Sequence, residues 1–182
     1  MATQLDTGTD ELLCSVDERV ATITLNRPER KNALSDNLTP ALRQTLLELN
    51  TSQEVGCIVI TGAGNAFCAG GDVSGMGGGS NNEKPEHTPS VQDRVKTLQH
   101  KQETLTLRLF EHAKPTIASL PGPAVGAGMC IALACDMRVA GAGARFGQPE
   151  VSLGVIPGFG GTQRLVRLAG AQRARELIFT GR

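Results

Sequence analysis

The chain contains 182 residues, 40% of them hydrophobic, which is enough for one domain with a sizeable core and too few for two. Lys and Arg number 18, Asp and Glu also number 18, and only 3% of residues are aromatic, so neither a basic surface nor base-stacking side chains indicate a nucleic-acid partner. The acidic amino terminus is unlike a secretory signal, and no apolar run approaches the roughly 20 residues that span a bilayer. We therefore predict a single domain over residues 1–182, located in the cytoplasm and without membrane contact.

The cysteines and histidines argue against disulfides and metal sites. The chain has five cysteines, an odd number, widely spaced among aliphatic residues: Cys14, Cys57, Cys68, Cys130 and Cys135. This distribution is typical of reduced thiols rather than of a disulfide framework. Only three scattered histidines and no CxxC pair are present, so we predict no metal site.

The first predicted elements form a crossover unit. Residues 19–26, "RVATITLN", alternate in hydropathy and precede "RPER", which predicts a strand ended by a proline turn. Ser35 or Asp36 is expected to cap a helix that runs to about residue 49 with one apolar face. Residues 57–62, "CIVITG", predict a buried strand. The order strand, helix, strand implies a parallel sheet. The apolar face of the helix comprises Leu38, Leu42, Thr45, Leu46 and Leu49.

A loop and a long helix are predicted next. Residues 74–90 are rich in Gly, Ser, Asn and Pro and lack any period, which predicts a mobile surface loop serving as a linker or as an active-site flap. Residues 91–112 are predicted to form an amphipathic helix. Its apolar face would contain Val91, Val95, Leu98, Leu105 and Leu109.

The rest of the chain continues the alternation of strands and helices. Strands are predicted at residues 114–120 and 137–141, on either side of a buried helix at residues 125–135. Two further helices are expected at residues 160–170 and 172–181. This alternation places the protein in the α/β class.

Four segments together resemble the crotonase superfamily, the enoyl-CoA hydratase/isomerase family. They are "ITLNRPERKNALS" (23–35), "ITGAGNAFCAGGDV" (60–73), "KPTIASLPGPAVGAGMCIALACD" (114–136) and "ARFGQPEVSLGVIPGFGGTQRL" (144–165). The likeness spans about residues 12–182 and implies a crotonase-like spiral of ββα repeats, usually assembled as trimers or pairs of trimers. Family members continue beyond "LIFTGR" with a carboxy-terminal helical region. Its absence here implies a truncated or unusually short chain.

Two glycine-rich segments point to an oxyanion site. In "FCAGGD", small residues follow a strand and let a ligand approach the backbone. In "GAGM", Ala127 lies at a helix amino terminus, where free N–H groups favour negative charge. The resemblance implies that the N–H groups of Gly71 and Ala127 hold the oxygen of a thioester as it becomes an enolate. The alternative is that these glycines serve only tight turns.

The resemblance also implies a path for coenzyme A. It places Ala69, Gly70, Gly71, Asp72 and Ala127 along the CoA and pantetheine chain. Two basic residues, Arg27 and Lys31, either lie near the entrance of that path or belong to a solvated face. CoA enters only as part of the thioester substrate, and no other cofactor is implied.

The family's two hydratase glutamates align here with Cys130 and Glu150. Glu150, in "GQPEVSLG", has apolar neighbours that can raise the pKa of its carboxyl group, which suits an acid/base residue, although an ordinary surface ion pair is the alternative. Cys130 is either a buried structural cysteine or a nucleophile or acid/base group. One carboxylate suffices to isomerise an enoyl-CoA, whereas hydration in this family uses two.

The resemblance therefore implies an enzyme that isomerises or hydrates enoyl-CoA, with an acyl-CoA or enoyl-CoA as its partner and a homotrimer or hexamer as its assembly. A catalytically weak acyl-CoA-binding or assembly subunit with the same fold is the alternative. The substitution at Cys130 favours that alternative, and the intact "FCAGGD" and "QPE" segments argue against it.

Overall fold

The computed structural model describes residues 2–74 and 90–182. The strands are β1 (Thr3–Leu5), β2 (Leu12–Asp17), β3 (Val20–Leu25), β4 (Cys57–Gly62), β5 (Thr116–Leu120), β6 (Ala124–Val125), β7 (Met137–Ala140) and β8 (Phe146–Gly147). A six-stranded sheet forms the centre of the molecule, in the order β1, β2, β3, β4, β5, β7. A second sheet pairs β6 with β8. The helices are α1 (Leu38–Thr51), α2 (Val91–Gln102), α3 (Arg108–Phe110), α4 (Ala127–Ala134) and α5 (Gly161–Thr180).

The sheet begins with an antiparallel part that the sequence did not predict. Strand β1 pairs with β2, and β2 pairs with β3 through a tight turn at Glu18 and Arg19. Both turn residues have positive φ, 45° and 65°, a conformation usually supplied by Asn or Gly. The turn therefore lacks the sequence signal of a hairpin, which explains why the pairing of β2 with the predicted strand β3 was missed.

The predicted crossover unit is confirmed. Strands β3 and β4 are parallel, with Ile23 opposite Ile60, and helix α1 connects them. The side chain of Ser35 accepts a hydrogen bond from the amide of Leu38 at 3.0 Å, as expected of a residue that caps the helix. All five residues predicted for the apolar face of α1 are buried.

The predicted helix over residues 91–112 is interrupted, and three of the five residues predicted for its apolar face are exposed. A π-helical turn, Glu103–Leu107, separates α2 from α3. Leu105 and Leu109 are buried as predicted, but three apolar residues of α2 are exposed, at 76%, 47% and 56%: Val91, Val95 and Leu98. Nothing in the described structure covers this part of the helix. Most of the predicted loop over residues 74–90 lies outside the described residues.

The later strands and helices follow the predicted order. Strand β5 is parallel to both β4 and β7, and α4 is buried around nearly its whole circumference. Val125, predicted as the start of that helix, instead belongs to β6, and the helix begins after Gly126. Gly170 has non-helical angles, φ 79° and ψ 158°, so α5 consists of the two helical halves that the sequence predicted.

The main core lies between the sheet and helices α1 and α4. A smaller cluster joins α4 to α5 through Met129, Leu133, Leu165 and Ala174. Helix α4 thus packs on the sheet with one side and on α5 with the other, which fixes its amino terminus in place. Within residues 2–74 and 90–182, no helix has the length and apolar character needed to cross a membrane.

Candidate active site

The segment after β4 turns sharply and leads to Gly70 and Gly71. A methyl group on Gly62 would lie 2.3 Å from the carbonyl oxygen of Ala66, so only glycine fits at the start of this turn. The side chain of Asn32, fully buried, holds the turn. It donates to the carbonyl oxygens of Ala63 and Ala66 at 2.9 and 2.8 Å and accepts from the amide of Arg27 at 2.9 Å. Asn32 is a site-building residue that the sequence analysis missed.

The Gly71 N–H points away from the neighbouring segment around Leu34. Leu34 forms a parallel bridge with Gly71, in which the Leu34 amide donates to Gly70 and the Asp72 amide donates to Leu34. In a parallel bridge these bonds use the residues on either side of the bridged position. The Gly71 amide is therefore directed to the opposite side, and no backbone acceptor for it lies within the described parts of the chain.

Ala127 presents a second free amide close to the first segment. Gly126 precedes it with φ 55° and ψ −128°, a conformation open essentially only to glycine. The φ of Ala127 itself is not positive, so alanine fits there without strain. A methyl group on Gly70 would lie 3.4 Å from the Ala127 nitrogen, which shows how closely the two segments approach. Ala127 begins α4, and its N–H has no helical partner.

Glu150 lies beside these amides. It belongs to a short 3₁₀ helix, Pro149–Leu153, that follows β8. A methyl group on Gly126 would lie 3.4 Å from Glu150 Oε1 and 3.9 Å from the Cα atom of Gly70. Burial raises the pKa of the Glu150 carboxyl group, while a backbone hydrogen bond partly opposes the shift. The structure thus brings Glu150 close to Gly126 and Gly70, which directly precede Ala127 and Gly71 in the chain. The raised pKa of the Glu150 carboxyl group suits proton transfer.

Cys130 lies one turn into α4 and is fully buried. Burial raises the pKa of its thiol to about 11, and the nearby Glu150 carboxylate adds to the rise, although a hydrogen bond with Gln148 lowers it. At neutral pH the thiol is therefore protonated and a poor nucleophile. Of the two interpretations of Cys130 from sequence, this burial favours the structural one.

Gln148, which the sequence analysis also missed, lies between Cys130 and Glu150. Its side chain is fully buried. One end of the amide lies 3.0 Å from both carboxyl oxygens of Glu150, and the other end lies close to the Cys130 thiol. A polar residue at this depth gives no periodic signal in the sequence, because its burial depends on α5 folding over it.

The residues predicted along the CoA path have other contacts as well. The Ala69 amide donates to the carbonyl oxygen of Lys31, and the Asp72 carboxylate pairs with Arg27 at 3.1 Å. Hydrogen bonds from Ser74, and then the one from Arg27, lower the pKa of Asp72 to about 2. Arg27 is only 14% exposed, so it braces the loop rather than forming part of a solvated face. No group of three metal-binding side chains occurs in the ranges that the structure describes.

Comparisons with known proteins identify the family of the chain. Residues 15–182 match the family "Enoyl-CoA hydratase/isomerase". The chain is 41% identical over 163 residues to a short-chain-enoyl-CoA hydratase of Clostridium acetobutylicum, covering 89% of this chain and 58% of that protein. It is 41% identical over 171 residues to a 2,3-dehydroadipyl-CoA hydratase of Escherichia coli, covering 94% of this chain and 62% of that protein.

A solved structure shares the fold. The crystal structure of a putative enoyl-CoA hydratase from Thermobifida fusca in complex with CoA superposes with a TM-score of 0.80 at 36% identity, covering 94% of this chain and 65% of that one. The chain therefore spans less than two thirds of the length of these relatives. The predicted α/β, crotonase-like fold is confirmed, and the chain belongs to the enoyl-CoA hydratase/isomerase family of the crotonase superfamily.

Proposed function

We propose that this chain forms the enolate-stabilising site of an acyl-CoA enzyme that isomerises or hydrates enoyl-CoA. The observation that supports this most strongly is the close approach of Gly70, Gly126 and Glu150. The next residues after the two glycines, Gly71 and Ala127, have amides without a backbone acceptor among the described residues. Two N–H donors directed at one thioester oxygen stabilise the negative charge that develops when a neighbouring carbon loses a proton. Each such donor typically contributes on the order of 3 kcal/mol to the transition state.

Glu150 is the proton carrier in this proposal. The carboxylate removes a proton from C2 of a 3-enoyl thioester, and the electron pair of that C–H bond moves into the enolate held by the two amides. The neutral Glu150 then returns the proton at C4, and the double bond shifts to C2 and C3. Its raised pKa supports both steps, because the group has to lose and regain a proton near neutral pH.

Water addition is the second candidate reaction. The names of the relatives from C. acetobutylicum and E. coli favour it, since both are called hydratases. The buried thiol of Cys130 weighs against it, because a protonated thiol is a poor base for orienting water. We therefore favour isomerisation as the main reaction of the site.

The acyl-CoA itself is the partner in this proposal. Its CoA portion is expected to pass along residues 69–72 and Ala127, and no other cofactor or metal takes part. Self-association into trimers or hexamers is a further expectation from the family. The single-domain organisation of residues 1–182 is expected from the length and composition of the chain.

Replacing Glu150 with glutamine tests the assignment. Glu150→Gln keeps the shape but removes the proton carrier, so turnover of a 3-enoyl thioester should fall more than about 100-fold while affinity for an acyl-CoA changes only a few-fold. Glu54→Gln, the same change at an exposed position between α1 and β4, is the matched control. Near-normal turnover in Glu150→Gln would contradict the mechanism. Binding of acyl-CoA by the unsubstituted chain without exchange of the C2 proton would instead identify a binding subunit.

A further inference from the structure

The side-chain amide of Gln148 has two polar neighbours that differ in the hydrogen bonds they can form. The ionised Glu150 carboxylate can only accept hydrogen bonds, and each of its oxygens lies 3.0 Å from one end of the amide. At the other end the Cys130 sulfur lies 3.7 Å away. A thiol both donates and accepts, so Cys130 can pair with either end of an amide.

Tight packing keeps the three groups in contact. A methyl group on Gly161 would lie 2.8 Å from the Cys130 sulfur and 3.3 Å from the Gln148 amide, so α5 leaves no spare volume here. The backbone of Gln148 is fixed as well, because its N–H donates to the carbonyl oxygen of Arg182 at 3.0 Å. The amide can change its hydrogen bonds only by turning over about its own axis.

Two complete sets of hydrogen bonds satisfy this cluster. When Glu150 is ionised, the amide nitrogen faces the carboxylate, and the amide oxygen, turned towards Cys130, accepts from the thiol. When Glu150 is protonated, its O–H donates to the amide oxygen, and the amide nitrogen donates to the Cys130 sulfur at 3.7 Å. In that second set the thiol proton is free to bond the carbonyl oxygen of Gly158, which lies 3.4 Å from the sulfur.

We infer that the Gln148 amide turns over with the protonation state of Glu150, and that Cys130 acts as a positioning residue whose thiol pairs with the amide in both states. This inference rests on the proposed function in one respect, since Glu150 alternates between the two states during proton transfer. A glutamate at position 130 would not pair with the Gln148 amide in both protonation states of Glu150. When ionised it only accepts, and it would compete with Glu150 for the amide nitrogen.

Two charged side chains act on the cluster from the described residues: the Glu150 carboxylate raises the pKa of the Cys130 thiol and the Arg164 guanidinium lowers it. The pKa of Arg164 is in turn lowered by Arg167 and raised by Glu111. Burial of the carboxyl group is the main cause of the raised pKa of Glu150. Removing the amide destabilises the ionised form of Glu150 more than the neutral form, because hydrogen bonds to a charged acceptor are stronger than those to a neutral one. Replacing Gln148 with methionine should therefore raise the pKa of Glu150 by about one unit.

Nuclear magnetic resonance of the chain as it stands tests the inference without any turnover. Glutamate labelled with ¹³C at the carboxyl carbon gives the Glu150 titration, assigned by the signal that disappears in Glu150→Gln. Nuclear Overhauser contacts from the Gln148 side-chain NH₂ report its orientation. We expect contacts to Glu150 above its pKa and to the β protons of Cys130 below it. Contacts that stay the same through the titration would overturn the inference.

The role of the thiol is tested by a pair of variants. Cys130→Ala removes the amide's partner in both states, whereas Cys130→Ser, of nearly the same volume, keeps a group that donates and accepts. Cys130→Ala should therefore melt about 2–4 °C below Cys130→Ser on both sides of the Glu150 titration. A loss on only one side would mean that the thiol serves one state only and would refute the inference. If wild type fails to turn over thioesters while these shifts are found, the proposed function fails and the inference stands.

Discussion

The turn at Gly126 offers a sharp test of the site, because its backbone conformation disfavours any residue with a side chain. Gly126→Ala forces φ 55° and ψ −128° on an L-residue and places a methyl group 3.4 Å from Glu150 Oε1. A residue held in such a region costs about 1–3 kcal/mol. For a chain of this size each kcal/mol lowers the melting temperature by roughly 2–4 °C, so we expect a decrease of about 2–12 °C.

The same substitution should also impair the proposed chemistry. Relief of the strain requires the turn to move, and the N–H of Ala127 moves with it. Loss of one oxyanion donor typically lowers kcat by about 100- to 1000-fold. Thermal melting and isomerase kinetics should therefore both change, with the larger effect in kcat rather than in KM.

A matched glycine is available as the control. Gly143 has no positive φ, and a methyl group there would meet no heavy atom within 4 Å. Gly143→Ala should change the free energy of unfolding by less than about 0.5 kcal/mol. If Gly126→Ala melts together with Gly143→Ala and keeps its kcat, then neither the strain nor the position of the Ala127 donor is as described.

Two further predictions concern the loop that carries Gly71. The pKa of the Asp72 carboxyl group is lowered to about 2, so its contribution to stability is present above the usual pKa of aspartate and is lost as the pH falls towards 2. Urea unfolding should show wild type more stable than Asp72→Asn at about pH 5, with the difference vanishing by about pH 2. A difference that stays constant with pH would contradict this. Asn32→Ala should lower the free energy of unfolding by about 2–4 kcal/mol, because it removes the hydrogen-bond partner of the buried carbonyl of Ala66, of the part-buried carbonyl of Ala63 and of the amide of Arg27. Gln53→Ala, on the surface, is its control, and equal urea midpoints for the two variants would disprove the role of Asn32.

The sequence predicted those parts of the fold in which periodicity and burial coincide. Helix α1 is an example, since five residues at helical spacing all face the core. The same reasoning failed for α2, where Val91, Val95 and Leu98 lie at helical spacing but are exposed. Spacing shows that apolar residues share a face, but it does not show whether anything covers that face. The hairpin of β2 and β3 was missed for a different reason, because its turn uses residues that rarely adopt positive φ.

The site was predictable where it depends on backbone geometry and less so where it depends on buried polar side chains. Glycines in "FCAGGD" and "GAGM" signal close approach of the backbone, and the structure indeed places Gly70 against Ala127. Asn32 and Gln148 carry no comparable signal. A single amide in a polar stretch resembles any surface residue, and only the folded chain shows that it is fully buried and what it binds.

The space around Cys130 connects these observations with the proposed reaction. The sulfur lies against Gly158, Gly161 and Gln148, in a volume that α5 closes. A larger acidic side chain there would have to displace Gln148 or the start of α5, at a cost typical of overpacked cores. It would also place a second carboxylate beside Glu150, and the pKa of one of the two would rise strongly. With a thiol at this position, Glu150 remains the single carboxylate of the cluster, and in the proposed reaction one carboxylate suffices to carry a proton between two carbons.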